Sequence, residues 1–295
     1  MNYHQKFDAY RNLVEEWLKE RITVPELPEK TLFEAMRYSL TAGGKRLRPV
    51  LSLAVCDMLG GDREAVMPFA CAVELIHTYS LIHDDLPCMD NDDYRRGKPT
   101  NHKVFGEAMA LLAGDALLNT ACEIMLEAVL ADGKDALRKA AAARLIMEAA
   151  GASGMIAGQV IDMESEQTAV SYDQLCRMHS LKTGALIRAS ILSAALICGA
   201  DERTTQALER YGKLIGLAFQ IKDDLLDVEG DAAVLGKSTG SDVRNHKSTF
   251  VTLLGTDKAK ELLKSTVEEA VKALEGLQNT DFLIHTAAYI AERKK

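Results

Sequence analysis

The stretch ELIHTYSLIHDDLPCMDNDDYRRGKPT, residues 74–100, joins an apolar segment to a dense run of charges. Its first half has the spacing of a buried helix, and its second half places five aspartates within ten residues, directly followed by basic residues. The aspartates are Asp84, Asp85, Asp90, Asp92 and Asp93, and the basic residues are Arg95, Arg96 and Lys98. Because neighbouring like charges repel, this pattern indicates a site where the carboxylates bind a divalent cation and the basic groups bind an anion.

Pro87 determines how these aspartates can be arranged. Asp84 and Asp90 are six residues apart, and on an ideal helix this spacing places them on different faces. A proline inside a helix kinks or breaks it, so we expect the helix to end near Asp85. The turn that follows is then expected to bring Asp90 back beside Asp84.

A second acidic cluster lies far downstream, at Asp223, Asp224 and Asp227. Asp223 and Asp227 are four residues apart, so on a helix they project from the same face, one turn apart. Two stacked carboxylates repel at neutral pH unless a cation neutralises them, and hard oxygen ligands favour Mg²⁺ over zinc or iron. Mg²⁺ commonly completes its coordination with substrate phosphates. We therefore predict that the two clusters face each other and share metal ions.

Two basic segments complement the acidic clusters. GGKRLRP, residues 43–49, is a helix-breaking turn with three cations, and residues 95–98 form the second segment. Further candidates in the second half of the chain are Lys182, Thr183, Lys237 and Lys247. Arginine suits bidentate binding of phosphate, and lysine supplies a point charge. Two anion sites beside a metal site indicate two substrates that carry phosphate.

The composition and the spacing of apolar residues predict an all-α fold. The chain has 295 residues, of which 47% are hydrophobic and only six are proline, and it shows no alternating pattern typical of strands. The clearest helical segments are 3–21, 29–41, 203–228, 257–275 and 280–293, with another expected to begin near Pro68. We predict a single domain, residues 1–295, of ten or more helices bundled around a central cavity. The polar segment 229–247 is expected to be a lid, a binding loop or disordered.

Charge and composition exclude several classes of protein. The net charge of −8 and the isoelectric point near 5.5 argue against nucleic-acid binding, which requires a basic surface. The six cysteines show neither a disulfide nor a zinc pattern, and are expected to be reduced thiols of a cytoplasmic protein. The N-terminus lacks the features of a signal peptide. The most apolar run, 185–200, is shorter than the roughly 20 residues of a bilayer span, so no membrane span is expected.

Longer motifs carry a resemblance to a known family. They are GGKRLRP (43–49), HTYSLIHDDLPCMDNDDYRRGKPTNH (77–102), LAGDALL (112–118), GQVIDM (158–163), KTGALI (182–187), FQIKDDLLD (219–227) and GKSTGSDVRNHKSTF (236–250). The chain resembles the trans-isoprenyl diphosphate synthases (polyprenyl synthetases), most closely the bacterial farnesyl diphosphate synthases, and the motifs follow the family's order from about Glu29 onward. The resemblance implies the isoprenoid synthase fold and a homodimer.

The resemblance also implies a reaction and its metal. The expected enzyme is a Mg²⁺-dependent prenyltransferase that condenses isopentenyl diphosphate with dimethylallyl or geranyl diphosphate, giving (2E,6E)-farnesyl diphosphate and diphosphate. Three Mg²⁺ ions, for which Mn²⁺ is expected to substitute, would bridge the allylic diphosphate to Asp84, Asp90 and Asp223. Asp85, Asp224 and Asp227 would support these ligands.

Roles for the substrate-binding residues follow from the same resemblance. Those implied to hold the allylic diphosphate are Arg95, Lys182 and Lys237, with Lys247 nearby. Those implied to hold isopentenyl diphosphate are Lys45, Arg48, His77 and Arg96. Thr183 and Gln220 would line the place where the allylic cation forms, with Gln159 and Asp162 close to the metal side.

Product length is implied to depend on the helix before the first aspartate motif. Tyr79 and Ser80, five and four residues before Asp84, are expected to form the floor of the tunnel that holds the growing chain. A bulky residue at position 79 resembles enzymes that stop at fifteen carbons. Plant-type geranylgeranyl enzymes share the LPCMDNDD motif of residues 86–93. At the position of Tyr79, however, they usually have a smaller or more flexible residue. A geranylgeranyl diphosphate synthase is therefore the alternative.

Three other classes compete with this interpretation. A di-iron protein needs two Glu-x-x-His motifs, and only Glu74 with His77 provides one. A terpene cyclase would normally pair one aspartate motif with an Asn/Ser/Glu motif and has no use for a second anion site at 43–49. An inactive subunit of a prenyl synthase heterodimer tends to lose aspartates from one cluster, whereas both clusters are intact in this chain.

Overall fold

The computed structural model describes residues 2–131, 133, 135–165, 170–229 and 248–293. These residues form almost only helices, more than ten of them, so the predicted all-α fold is confirmed. Of the predicted loop 229–247, Glu229 is the last residue of a helix, and 230–247, with Lys237 and Lys247, lies outside the described residues. The division of the chain into one domain stays a prediction.

Helices follow one another along the described parts of the chain, mostly with short connections. In chain order they are α1 (Tyr3–Arg21), α2 (Lys30–Leu40), α3 (Leu47–Met58), α4 (Arg63–Asp84), α5 (Asn101–Phe105), α6 (Glu107–Leu130), α7 (Ala136–Ala150), α8 (Met155–Glu164), α9 (Tyr172–His179), α10 (Ala185–Ile197), α11 (Glu202–Glu229), α12 (Phe250–Leu254), α13 (Thr256–Ala273) and α14 (Asp281–Glu292). A π-helical turn, Ser180–Gly184, joins α9 to α10. Two short strands, β1 (Tyr94–Arg95) and β2 (Lys98–Pro99), form an antiparallel hairpin that the sequence did not predict.

Helices α4 and α10 form the centre of the core. Helix α4 packs against α3, α6 and α10, and α10 packs against α3, α7 and α11 as well. Both helices are buried along most of their length, which is why their sequences are apolar on nearly every face. One end of each carries polar candidate residues, because α4 ends at Asp84 and α10 follows the π-helical turn. The core therefore fixes the positions of two parts of the candidate site.

The start of α4 differs from the prediction. The helix begins at Arg63, five residues before Pro68, where we expected it to start. Asp62 caps it, since its carboxylate accepts a hydrogen bond of 2.9 Å from the backbone N–H of Glu64. Pro68 lies in the second turn, where its missing N–H costs the helix one hydrogen bond. The cap and the surrounding packing therefore outweigh the proline as a boundary signal.

Three helical stretches are long and apolar enough to cross a membrane by length and composition alone. In Arg63–Asp84 and Tyr172–Ile197, 72% and 67% of the most apolar part is buried by the rest of the protein, so core packing explains their apolarity. In Glu107–Leu130 only 39% is buried, which leaves an exposed apolar face. None of these stretches is evidence of a membrane span.

Candidate active site

The first acidic cluster forms a tight turn at the end of α4. The backbone N–H of Asp90 donates a hydrogen bond of 2.9 Å to the carbonyl of Asp84. Leu86 supports the turn, because its carbonyl accepts from the backbone N–H of Met89 at 2.9 Å and of Asn91 at 3.1 Å. The predicted end of the helix and the return of Asp90 to the side of Asp84 are both confirmed.

Burial makes the negative charge of Asp84 costly. It raises the pKa of Asp84 to about 6, with Lys182 opposing the rise and Asp90 adding to it. Burial disfavours the ionised form of a carboxylate, and a bound divalent cation would favour it. Among the charges that act on Asp84, that of Lys182, on the π-helical turn, has the largest effect.

Asp85 and Arg95 form a separate, buried ion pair. The Nε atom of Arg95 lies 2.7 and 2.8 Å from the two carboxylate oxygens of Asp85, and Nη2 lies 2.6 Å from Oδ1. The side chain of Asp85 is 4% exposed, so this pair is largely removed from water. Arg95 therefore ties the β-hairpin to the end of α4. Its predicted contact with the allylic diphosphate stays a prediction.

The second acidic cluster lies on α11, and its members differ in exposure. The side chain of Asp223 is 42% exposed, whereas Asp224 and Asp227 are buried. The carboxylate of Asp224 accepts a hydrogen bond of 2.7 Å from the backbone N–H of Phe250, at the start of α12. Asp223 is thus the member that presents its carboxylate to solvent, and Asp224 holds the neighbouring helix.

A cavity of about 260 Å³ collects several of the predicted residues. Its polar lining is Asp162, Ser165, His179, Lys182, Thr183, Gln220, Asp223, Asp224, Asp227, Ser248 and Thr249. The structure therefore brings Lys182, Thr183, Gln220 and Asp223 together, as the sequence predicted. Asp84 and Asp90 are not part of this lining, and the prediction that the two clusters face each other across shared metal ions stays a prediction.

The π-helical turn places Lys182 and Thr183 at the cavity wall. The Nζ atom of Lys182 contacts a carboxylate oxygen of Asp162 at 2.6 Å, which fixes the lysine against α8. Gly158 allows this approach, because a Cβ atom at that position would lie 2.1 Å from the backbone nitrogen of Lys182. π-helical turns within longer helices are often found at functional sites.

Gln220 and His179 form a second contact in the cavity wall. The Nε2 atom of Gln220 lies 3.1 Å from Nδ1 of His179, and the imidazole stacks on the ring of Phe250 at 5.4 Å. Burial lowers the pKa of His179 to about 4. A neutral imidazole is consistent with Nδ1 accepting from the amide of Gln220. The sequence analysis did not single out His179 for this role.

The basic segment 43–49 contains one structural arginine. The guanidinium of Arg46 is fully buried and lies 2.7 Å from a carboxylate oxygen of Glu15 and 2.7 Å from one of Glu74. It also donates to the carbonyl of Leu40. These contacts hold the turn in place. They also engage Glu74 and so argue against Glu74 as a ligand of a di-iron site.

Arg48 and Arg96 form a cationic cluster beside His77, within electrostatic reach of Asp223. Burial lowers the pKa of Arg48. The charge of Glu74 opposes this shift most strongly, the charge of Arg96 adds to it, and that of Asp223 opposes it. Burial and the positive charge of Arg48 hold the pKa of His77 well below its usual range. The buried Nε of Arg48 has no hydrogen-bond partner among the described residues. A bound anion would satisfy this donor and relieve the mutual repulsion.

Gly44 allows Arg96 to join this cluster. The guanidinium of Arg96 donates to the carbonyl of Gly43. A Cβ atom at Gly44 would lie 2.8 Å from its central carbon, and Gly44 has a φ of +132°, which side chains rarely adopt. The two basic segments of the sequence therefore meet in space, as two parts of one cationic surface.

The two residues predicted to control product length lie inside α4. Tyr79 is 6% exposed, and its ring meets the imidazole of His83 edge-on at 5.6 Å. His83 lies against α6, where its Nε2 is 3.1 Å from the carbonyl of Leu111. The hydroxyl of Ser80 donates to the carbonyl of His77 at 2.9 Å. Tyr79 is thus a buried aromatic residue one turn before Asp84, and its role as a tunnel floor stays a prediction.

Arg293, which follows α14, is a site residue that sequence reasoning missed. Its Nη2 atom lies 2.9 Å from Oδ1 of Asp223, and its side chain is 2% exposed. It is the first residue of a basic C-terminal run, RKK, which has the composition of a solvated tail. Only the packing of α14 against α11 brings it to the second acidic cluster.

The carboxylates fit a divalent metal only in part. No group of three histidine, cysteine or carboxylate side chains within the described residues is close enough to form a complete metal site. The donors that are present are hard oxygens, and Asp84 and Asp90 lie side by side at the end of α4. This donor set fits Mg²⁺, provided that a substrate supplies the remaining oxygen ligands.

Together these features describe an all-α protein with acidic clusters at the ends of two helices. Near one of these clusters lies a group of arginines suited to binding an anion. The model of the family described as Polyprenyl synthetase matches residues 29–281, so the chain belongs to that family. A farnesyl diphosphate synthase from Micrococcus luteus is 50% identical over 268 residues, which cover 90% of this chain and 91% of the relative. A chloroplastic geranylgeranyl pyrophosphate synthase from Capsicum annuum is 46% identical over 279 residues, 94% of this chain and 74% of the relative.

A solved structure gives the same result for the fold. The geranyltransferase from Legionella pneumophila superposes with a TM-score of 0.88 at 34% identity, covering 99% of this chain and 97% of that one. The resemblance to polyprenyl synthetases inferred from the motifs is therefore confirmed.

Proposed function

We propose that this protein is a prenyltransferase that condenses isopentenyl diphosphate with dimethylallyl and geranyl diphosphate to give farnesyl diphosphate and diphosphate. The observation that carries the proposal is the presence of two kinds of site. One contains the carboxylates of Asp84 and Asp90, which the turn at the end of α4 holds side by side. The other contains Arg48 and Arg96 beside His77, and the buried Nε of Arg48 has no hydrogen-bond partner among the described residues.

The reaction needs strong stabilisation of negative charge. Breaking the C–O bond of an allylic diphosphate leaves an allylic cation and a diphosphate leaving group. Bound Mg²⁺ supplies Lewis-acid stabilisation of that leaving group. In this chain Asp84, Asp90 and Asp223 would hold the metal, and Lys182 would add a fixed positive charge close to Asp84.

Lys182, Thr183 and Gln220 line the cavity in which the allylic cation would form. Cavity walls of this kind orient the diphosphate and keep water from the cation. Gln220 is held by His179, and Lys182 by Asp162, so both polar groups are oriented before substrate binds. The residues proposed to bind the allylic diphosphate also include Arg95, and Lys237 and Lys247, which lie outside the described residues.

Isopentenyl diphosphate is assigned to the cationic cluster. Arg48, Arg96, His77 and Lys45 would bind its diphosphate, and the Nζ atom of Lys45 lies 5.7 Å from the ring of Phe219 on α11. The double bond of isopentenyl diphosphate would attack the allylic cation. The proton lost in the final step would pass to the released diphosphate, so no nucleophilic side chain is required.

The product is proposed to be farnesyl diphosphate because Tyr79 is bulky, buried and next to the catalytic carboxylates. A geranylgeranyl product is the alternative, since plant-type geranylgeranyl enzymes share the LPCMDNDD motif of residues 86–93. A terpene cyclase and an inactive subunit are disfavoured by the cationic cluster and by the intact carboxylates.

A second copy of this chain is the proposed partner of α6. Leu111, Leu112, Leu126 and Leu130 of that helix are exposed, as two apolar pairs separated by the exposed polar residues Asp115, Asn119 and Glu123. Exposed apolar patches mark interaction sites. We expect a homodimer in solution and a cytoplasmic location. Light scattering coupled to size exclusion checks the first expectation, and Leu126→Asp should shift the protein to a monomer.

One assay tests the reaction. The purified protein is incubated with isopentenyl diphosphate and geranyl diphosphate, with Mg²⁺ or with a chelator, and the prenyl product is identified by chromatography. Farnesyl diphosphate is expected with Mg²⁺ or Mn²⁺ and none with the chelator. Absence of elongation in the presence of Mg²⁺ would exclude a synthase. A cyclic hydrocarbon from farnesyl diphosphate alone would indicate a cyclase.

A further inference from the structure

Arg293 contacts two successive turns of α11 with one nitrogen atom. Its Nη2 lies 2.9 Å from Oδ1 of Asp223 and donates at 2.9 Å to the carbonyl of Phe219, four residues earlier. The guanidinium also lies over the ring of Phe219, with its central carbon 4.2 Å from the ring centroid. Arg293 is therefore anchored to α11 by contacts that do not involve Asp223.

This anchoring separates Arg293 from an ordinary surface ion pair. Its side chain is 2% exposed, and its buried Nε has no hydrogen-bond partner among the described residues. A buried arginine keeps its charge, because the guanidinium does not deprotonate in proteins.

The two acidic clusters have different neighbours. Asp84 and Asp90 lie side by side at the end of α4, joined by a backbone hydrogen bond of 2.9 Å. Asp223 has a fixed guanidinium on one carboxylate oxygen, and its charge is also felt by Arg48. A cation placed within a few ångströms of a metal ligand repels a divalent ion and weakens its binding. The same guanidinium holds the carboxylate in one orientation.

We propose that Arg293 is a positioning residue that holds Asp223 and keeps its affinity for free divalent metal low. The second acidic cluster then takes up its metal ion only when a diphosphate brings additional negative charge. This proposal rests on the proposed function for the identity of the metal and the diphosphate. It assigns a role to a residue outside all the motifs by which the chain resembles its family.

The test measures metal binding without substrates. Mn²⁺ is the probe, because the unbound ion gives a solution electron paramagnetic resonance signal that can be titrated. The first cluster is silenced with Asp84→Asn, and Mn²⁺ affinity is compared in that background with Arg293 and with Arg293→Gln. We expect the Arg293→Gln protein to bind Mn²⁺ at least tenfold more tightly. Arg293→Met, which keeps apolar contact with Phe219, serves as a second neutral variant if the first does not fold.

Two controls make the result specific. Arg293→Lys keeps the charge, so it should retain the weak Mn²⁺ binding of the parent. If Arg293 had only a structural role, Arg293→Lys would bind Mn²⁺ as tightly as the neutral variants do. Adding Asp223→Asn should abolish the gain in Arg293→Gln. Arg144→Gln removes the same charge from a side chain that is 79% exposed, and it should leave Mn²⁺ affinity unchanged.

The outcomes separate this proposal from the proposed function. Unchanged or weaker Mn²⁺ binding in the neutral variants, or a gain that persists without Asp223, would overturn the role of Arg293. If the wild-type protein produced no prenyl diphosphate with Mg²⁺, the proposed reaction would fail, and the Mn²⁺ measurements would still decide whether Arg293 controls metal binding at Asp223.

Discussion

The backbone N–H of Asp90 donates a hydrogen bond of 2.9 Å to the carbonyl of Asp84. This bond closes the turn that follows α4 and holds two carboxylates side by side although they are six residues apart in the sequence. The repulsion between them contributes to the raised pKa of Asp84, after burial. The main chain thus enforces a proximity that the side chains alone would oppose, which is the arrangement a metal site requires.

Replacing either proposed metal ligand should remove activity and spare the fold. For Asp84→Ala and Asp223→Ala we expect a loss of turnover of at least about a hundredfold, because the leaving group loses electrostatic stabilisation. Steady-state assays of chain elongation measure the loss, and circular dichroism measures folding. Asp257→Ala, an exposed carboxylate in the first turn of α13, is the matched control and should keep near-normal turnover. Retained activity in both ligand variants would show that the metal assignment is wrong.

Tyr79→Ala should lengthen the product. Removing a buried aromatic side chain from α4 opens space one turn before the reacting carboxylates, and a longer prenyl chain can then be accommodated. Chromatography of the dephosphorylated products is expected to show twenty-carbon or longer chains in place of the fifteen-carbon product. Tyr94→Ala, at a tyrosine that is 68% exposed, is the control and should leave product length unchanged. If Tyr79→Ala yielded only the fifteen-carbon product, Tyr79 would not be the tunnel floor.

Helices and the first aspartate turn were predictable because their signals are local. Apolar periodicity located α1, α11 and α14 to within about a residue, and Pro87 correctly indicated the end of α4. The start of α4 was not predictable, because the Asp62 cap and tertiary packing allow Pro68 to lie inside the helix. Propensity is a weak guide wherever a neighbouring element supplies the stabilisation.

The missed parts of the site depend on contacts between distant segments. Arg293 reaches Asp223 only because α14 packs on α11, and nothing in the sequence RKK distinguishes it from a solvated tail. The π-helical turn that carries Lys182 was also not predictable, since residues 180–184 contact α8 and α11, which are separate segments of the chain. Periodicity within one segment contains no information about such pairings.

Gly158→Ala should disturb the π-helical turn. The new methyl carbon would lie 2.1 Å from the backbone nitrogen of Lys182, so either α8 or the turn must move. We expect a loss of about 1–3 kcal/mol in the free energy of unfolding, as is typical of overpacking, together with lower turnover because Lys182 shifts. Urea unfolding and the elongation assay measure the two effects. Gly133→Ala, where a Cβ meets no atom within 4 Å, should change neither. Normal stability and turnover in Gly158→Ala would contradict the close packing of α8 on the turn.

His179 should make the protein less stable in mild acid. Burial lowers its pKa to about 4, whereas an unfolded histidine titrates near 6.5. Between these values the unfolded chain binds the proton and the folded protein does not, so stability is complete above about pH 6.5 and decreases as the pH falls toward 4. The contribution of this group is at most about 1.4 kcal/mol per pH unit, and about 3 kcal/mol over the window. Urea unfolding at pH 7.5, 6.5 and 5.5 measures it.

The variant His179→Phe isolates this contribution. It keeps an aromatic ring for stacking on Phe250 but has no group that titrates, so its stability should fall less steeply between pH 6.5 and 5.5 than that of the wild type. Loss of the hydrogen bond to Gln220 would lower stability by a similar amount at every pH, and so would not change the slope. His4→Phe, at an exposed histidine on α1, should leave the wild-type slope intact. An equal slope in His179→Phe and the wild type would mean that the pKa of His179 is not lowered in the folded protein, and that its contact with Gln220 does not depend on a neutral imidazole.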